Sequence, residues 1–234
     1  MAGRLRIDLV EGGRIALRSL AVNRLRTALT TVGIGIGVAT LLAIGAALLG
    51  AQAASAVDAT MRDVTETIGA RDYWRAGITG AGVGVAVIDT GVAHVPGLDA
   101  PNKVLHGPDL SFDSQSSTLA QRDAYGHGTH LAGIVAGRDV TGSPAQLAAN
   151  TTAFLGVAPD AKIINVRAGD FGGEVDVTQV IAAIDWVVEH RNDPGLNIRV
   201  ISLAYGTDSL QASDVDPLAH AVEAAWRAGI VVIV

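Results

Sequence analysis

The chain has 234 residues, 49% of them hydrophobic and 4% aromatic, with 28 glycines, no cysteine and a formal net charge of -6. Its length allows one or two domains, its apolar content excludes a disordered polymer, and the missing cysteines exclude disulfides, zinc-thiolate sites and a thiol nucleophile together. The charge is uneven: residues 1–57 carry six Arg against Asp8 and Glu11, which leaves 11 basic and 21 acidic residues, a net -10, for the rest. An acidic body does not neutralise phosphates, so nucleic acid is excluded as a partner.

From Thr27 to Val57 no residue is charged, and Thr31-Val-Gly-Ile-Gly-Ile-Gly-Val-Ala-Thr-Leu-Leu-Ala-Ile-Gly-Ala-Ala-Leu-Leu-Gly50 reaches the roughly 20 residues that cross a bilayer as a helix. A buried helix of a soluble domain seldom runs so far without a polar face. Residues 31–50 are therefore expected to be membrane-inserted. Arg14, Arg18, Arg24 and Arg26 precede the segment, and the next basic residue is Arg62. That asymmetry predicts a single pass through the cell membrane, with the N-terminus in the cytoplasm and everything after Val57 outside. Ala54-Ser55-Ala56 has the small-x-small form of a signal-peptidase site, so secretion after cleavage near Ala56 is the alternative to an uncut anchor. Arg14-Ile-Ala-Leu-Arg-Ser-Leu-Ala-Val-Asn-Arg-Leu-Arg-Thr-Ala-Leu-Thr-Thr-Val-Gly-Ile-Gly-Ile-Gly37 resembles the first transmembrane segment of MacB-type ABC-transporter permeases, which favours the anchor. A transporter subunit would need several spans, and the sequence offers one.

Residues 58–70 form a short mixed-charge connector, and Ile68 to Gly77 predicts a brief helix leading into a turn. Gly80-Ala-Gly82-Val-Gly84 precedes a strand, whereas a phosphate-cradling loop must follow one and open a helix, so dinucleotide binding is excluded. Val83 to Ile88 is a near-continuous aliphatic run, the pattern of a strand covered on both faces. Pro101 to Asp123 is polar and predicts a surface loop, and a small-residue helix opens at His127. Lys162 to Val166 predicts a second strand. Val177, Val180, Ile181, Ile184, Val187 and Val188 give the stripe of a helix packed on a sheet. Arg199 to Leu203 predicts a third strand. Asp216 as N-cap, Pro217 at the first helical position and Gly229 past the end delimit another helix before the strand Ile230 to Val234. Strand and helix alternating at this spacing predict an α/β fold with a doubly wound, mostly parallel sheet.

In such sheets working residues collect at the carboxyl ends of strands, and Asp89 stands at one. Alone, an Asp after Val-Ile also suits a cap or turn. With His127 opening a glycine-flanked helix one loop later, the pair has the form of an orienting acid beside a general base. Ala86-Val-Ile-Asp89-Thr-Gly91 and Asp123-Ala-Tyr-Gly-His127-Gly-Thr-His-Leu-Ala-Gly133 resemble the aspartate and histidine motifs of the subtilisin-like serine proteases, the subtilases or peptidase S8 family. The resemblance extends to Gly156-Val-Ala-Pro159, to Val200-Ile-Ser-Leu-Ala-Tyr-Gly206 and to Ala225-Trp-Arg-Ala-Gly-Ile-Val-Val-Ile-Val234.

The resemblance implies a serine endopeptidase acting on polypeptides, with no cofactor or metal assigned, in which residues 71–234 are the N-terminal part of a subtilisin-like domain behind a lead and anchor or signal over 1–57. Asp89 would accept the Nδ1 proton of His127 while Nε2 takes the proton of an attacking serine. Leu203, Ala204, Tyr205 and Gly206 correspond to the segment that pairs with extended substrate through its backbone and walls the pocket for the side chain before the cut. Ala204 stands where a serine is usual, and Tyr205 alters the contacts. His130 is read as structural, and Gly126, Gly128 and Gly133 as positions that allow close packing.

Two departures accompany the resemblance. The family's oxyanion Asn and Gly-Thr-Ser nucleophile motif come beyond the strand ending at Val234, and no serine of this chain stands in Gly-Thr-Ser or Gly-x-Ser-x-Gly. The expectation is thus a chain truncated before the catalytic serine and inactive as it stands, since losing that serine in subtilisin costs about 2 × 10⁶ in kcat. Its last strand is expected to leave apolar surface bare. Secondly, many exported subtilases carry an inhibitory propeptide of domain size, for which the connector has no room. The alternative is a membrane-tethered, non-catalytic pseudoprotease that binds peptide along Leu203 to Gly206. An aspartic protease would need a second Asp sharing a proton on an all-β fold. A metal hydrolase on His127-x-x-His130 lacks the Glu of a zinc motif.

Overall fold

Strand β1 (Gly84–Asp89) is buried at all six positions and lies at the centre of the sheet in a computed structural model that describes residues 60–207 and 211–234. The apolar segment 31–50 and the signal-peptidase-like site at Ala56 lie outside the described residues. Among the described residues no helix is long and apolar enough to cross a membrane.

Strands β2 (Val104–Asp109), β3 (Lys162–Arg167), β4 (Ile198–Ser202) and β5 (Val231–Ile233) complete a parallel sheet of order β2-β3-β1-β4-β5. On one face Ala86 and Ile88 of β1 join Ile164 and Val166 of β3 against helices α5 (Val177–His190) and α6 (Pro217–Arg227). On the other face Val85, Val87 and Ile163 pack on Ala132 and Ala136 of α3 (His127–Ala136). Both faces of β1 are covered, which is what its unbroken aliphatic sequence requires. A third cluster joins Trp74 of α2 (Ala70–Arg75) to Leu147 of α4 (Pro144–Ala149).

The helix signals in the sequence coincide with the helices. Val180, Ala183, Ile184 and Val187 are the buried stripe of α5, and the Asp176 side chain accepts from the Thr178 N–H at its start. Asp216 caps α6 by accepting from the N–H groups of Leu218 and Ala219, Pro217 is its first residue, and Gly229 follows its end at φ +83°.

Three segments differ from the sequence expectation. The connector contains α1 (Met61–Thr67), begun by a reciprocal cap between Thr60 and Asp63. The supposed surface loop from Pro101 contains β2, an edge strand whose Gly107-Pro108 reads locally as a break. Gly107 is required there because the Trp186 ring fills the space a Cβ would occupy. Helix α4 carries a cap between Ser143 and Gln146 that the sequence reading leaves unassigned. At the opposite edge, Val232 of β5 packs toward α5 and α6, while Val231 and Ile233 stay exposed.

Arg167 ends β3 in register with Asp89 and is fully buried. It donates through Nε to the Thr90 carbonyl at 3.0 Å, through Nη1 to Asp109 Oδ2 at 3.2 Å and the Leu119 carbonyl at 2.7 Å, and through Nη2 to Asp113 Oδ2 at 2.7 Å. One guanidinium thereby ties the segment after β2 to the carboxyl end of β1. Replacing it with Met strands two carboxylates around an apolar chain. Arg167→Met is expected to lose about 3–5 kcal/mol in urea denaturation, and a loss under about 1 kcal/mol would contradict this role.

Burial pushes the Asp109 carboxyl up, but hydrogen bonds from Gln121 N–H and from the Ser111 hydroxyl and N–H, with the Arg167 charge, outweigh it and hold the group below 3.8. A carboxyl depressed by folding contributes stability that is complete above its unfolded value and lost as pH falls through its folded one. The stability gap between the wild-type chain and Asp109→Asn is therefore expected to narrow on acidification below about pH 4, read from denaturation midpoints.

Candidate active site

Asp89 is the last residue of β1 and His127 the first of α3. The chain leaves β1 through Gly91 at φ +117° and enters α3 through Gly126 at φ +95°, conformations that L side chains rarely adopt. A Cβ on Gly128 would collide with the Gly91 carbonyl oxygen and come within 3.0 Å of Asp89 Oδ1. Only a glycine lets the first turn of α3 close onto the end of β1.

That approach brings His127 Nδ1 to 2.8 Å from Asp89 Oδ1 and 2.9 Å from Oδ2. The Asp89 side chain is 4% exposed and that of His127 43%, so the acid is dry and the imidazole faces solvent. A carboxylate only accepts, so Nδ1 carries the proton and Nε2 is left as an acceptor. Asp89 Oδ1 also accepts from the Thr90 N–H at 2.7 Å. The N–H groups of Ala168 and Gly169 donate to the Asp89 carbonyl at 2.8 and 3.1 Å, fastening the strand end itself.

A second carboxylate, Asp123, stands behind the pair. It accepts from Thr90 Oγ1 at 2.9 Å, Gly126 N–H at 2.6 Å, Thr129 N–H at 2.8 Å and Thr129 Oγ1 at 2.5 Å. Burial raises its carboxyl, but the Thr129 hydroxyl, the Gly126 and Thr129 N–H groups and the Thr90 hydroxyl outweigh burial and hold it below the usual carboxylate range.

The cleft in front of His127 is lined by Ile88, Asp89, Thr90, Tyr125, Ala168, Gly169, Gly173, Val175, Val180, Ala204 and Tyr205. Of the four residues assigned to peptide pairing, Ala204 and Tyr205 line this cleft and Gly206 is exposed beside it. Leu203 is buried in the core, and its N–H donates to the Ile233 carbonyl at 2.8 Å, so its side chain and N–H are both committed to the fold. His130 is exposed on α3. The sequence reading assigned no role to Tyr125, Gly173 or Val175. The exposed Tyr125 ring lies against Gly173, where a Cβ would meet ring carbons at 3.0 Å, and the Gly172-Gly173 pair was the available signal.

The family model described as "Subtilase family" matches residues 80–234. The chain belongs to the subtilase family. It is 34% identical over 184 residues to serine protease AprX of Bacillus subtilis (strain 168), covering 76% of this chain and 38% of that protein. It is 31% identical over 169 residues to the major intracellular serine protease of the same strain, covering 72% and 46%. It is 33% identical over 157 residues to subtilisin DY of Bacillus licheniformis, covering 67% and 47%. The chain thus spans less than half the length of each of these three relatives.

In this subtilase the closeness of β1 and α3 hinges on Gly128. Gly128→Ala is expected to push α3 back, cost about 1–3 kcal/mol and abolish the downfield Nδ1 proton resonance of His127. A folded variant that retains the resonance would show that the glycine does not set the approach.

Proposed function

We propose that the chain supplies the acid–base half of a subtilisin-type serine endopeptidase site. The supporting observation is the contact of His127 Nδ1 with both Asp89 oxygens. Asp89 holds the imidazole in the tautomer whose Nε2 is a base and stabilises the imidazolium that forms. Nε2 takes the proton from a serine as its oxygen attacks the peptide carbonyl, then returns it to the leaving amine. The exposed ring of His127 and the cleft beside it suit an extended polypeptide laid against Ala204 and Tyr205. We assign Asp89 and His127 as catalytic and the segment from Leu203 to Gly206 as the peptide wall, with Leu203 contributing through its carbonyl alone. The domain runs over 71–234 after the connector 58–70. Residues 1–57, with their Arg-rich lead and uncharged segment 31–50, anchor it to the cell membrane with the domain outside, or export it with cleavage near Ala56.

None of the 234 residues forms a Gly-Thr-Ser motif, which favours an inactive chain in these residues alone and supports a second reading, a tethered pseudoprotease that binds peptide without cutting it. Both are tested by fluorophosphonate labelling and peptide hydrolysis on two proteins, the 234-residue chain and the product of the full open reading frame that contains it. Labelling and hydrolysis by the latter alone, reduced about 10⁴-fold or more by Asp89→Asn or His127→Ala, support the endopeptidase. Peptide binding without labelling by either protein favours the pseudoprotease. Labelling of the 234-residue chain would overturn the absence of a nucleophile from it.

A further inference from the structure

The Thr90 hydroxyl has one proton and two carboxylates within reach, Asp123 Oδ1 at 2.9 Å and Asp89 Oδ1 at 3.2 Å. One of its lone pairs accepts the Gly128 N–H at 3.1 Å. The Thr129 hydroxyl repeats the arrangement: it donates to Asp123 Oδ2 at 2.5 Å and accepts from the Ala93 N–H at 2.9 Å. Thr90 and Ala93 belong to the segment leaving β1, whereas Gly128 and Thr129 belong to the first turn of α3. A single carboxylate therefore sets the proton direction of two hydroxyls, and each hydroxyl uses a lone pair to bind backbone N–H across the junction that carries Asp89 and His127.

We infer that Asp123 is a positioning residue for the Asp89–His127 pair: by capturing the Thr90 proton it keeps that hydroxyl off Asp89 Oδ1, which is left to the Thr90 N–H and to His127. This inference deepens the acid–base assignment and rests on it. Without the Asp123 anion the Thr90 proton swings to Asp89 Oδ1, 3.2 Å away. The oxygen would then take a further donor at the imidazole's expense, and the charge that favours a fixed Nδ1–H bond would be shared out. Asp123 does not line the cleft, and of its hydrogen-bond partners Thr90 is the one that also reaches an Asp89 oxygen. Arg167 also reaches this junction, with its Nε holding the Thr90 carbonyl and its Nη atoms committed to Asp109 and Asp113.

The test is the His127 Nδ1 proton, followed by ¹⁵N-edited NMR in the 234-residue chain and requiring no serine. The wild-type chain should show a downfield resonance that Asp89→Asn abolishes. In Asp123→Asn the resonance should move upfield and exchange with water about tenfold faster. Thr90→Val, which has no hydroxyl to swing onto Asp89, should keep the resonance, Thr90→Ser should behave as the wild-type chain, and adding Asp123→Asn to Thr90→Val should change nothing further. If Asp89→Asn abolishes the resonance while Asp123→Asn leaves it in place, the Asp123 role is overturned and the pair stands. If Asp123→Asn acts equally with and without Thr90, Asp123 only caps the helix and the relay is overturned. If the wild-type chain shows no resonance sensitive to Asp89, the acid–base pair itself fails. Should Asp123→Asn not fold, the uncharged Asp123→Ser replaces it: an unchanged resonance in that variant overturns the inference.

Discussion

The contact on which the candidate site depends is backbone against backbone. The first turn of α3 touches the carbonyl of Gly91, and it can do so only because residue 128 has no side chain. That approach places an imidazole against a carboxylate buried at the end of a central strand. A buried carboxylate with few donors is costly. Asp89 has the Thr90 N–H and His127 to satisfy it, so much of what holds the histidine in place is the charge's own need for partners. Steric permission comes from glycine and the attraction from the unsolvated acid.

Around this contact the charges form a graded set. Arg167, the fully buried cation beneath the carboxyl end of β1, is matched by Asp109 and Asp113 and by two carbonyls. Asp109 and Asp123 are held ionised by converging donors, each against the opposing pull of burial. The loop from Leu110 to Gly126 has little apolar surface to bury, and its order comes from these carboxylates and backbone donors. A loop fixed in this way can carry a histidine at its end as firmly as a packed helix would.

What was legible in the sequence follows from how local the signal is. β1 could be recognised because burial on both faces demands an unbroken aliphatic run, and α5 and α6 because their stripes and caps lie within the segments themselves. Asp89 and His127 were legible because each sits at the seam between an apolar run and a glycine, the places where backbone geometry restricts residue choice. β2 was hidden because its Gly107 answers to Trp186, a partner far along the chain, and because an edge strand covered on one side needs no aliphatic run. Leu203 shows a different failure. A motif reveals that a segment lies beside a cleft, but just past the end of β4 Leu203 is buried in the core while Ala204 and Tyr205 line the cleft. The part played by Asp123 was hidden for a third reason, since it depends on which way two hydroxyl protons point.

These contacts also account for why an acid–base pair can be assembled from this stretch alone. Among the described residues, every group that touches Asp89, Thr90, Asp123 or His127 through a side-chain hydrogen bond lies between Asp89 and Arg167. None comes from β4, α6 or β5. The imidazole is therefore held by fixed donors and acceptors within this stretch. Fixed dipoles and charges need no rearrangement when a proton moves, which is the condition under which an electrostatic environment lowers a barrier. Under the proposed acid–base role, a nucleophile brought to the Nε2 side would meet a base whose tautomer and direction are already set, and its own placement would be the remaining variable.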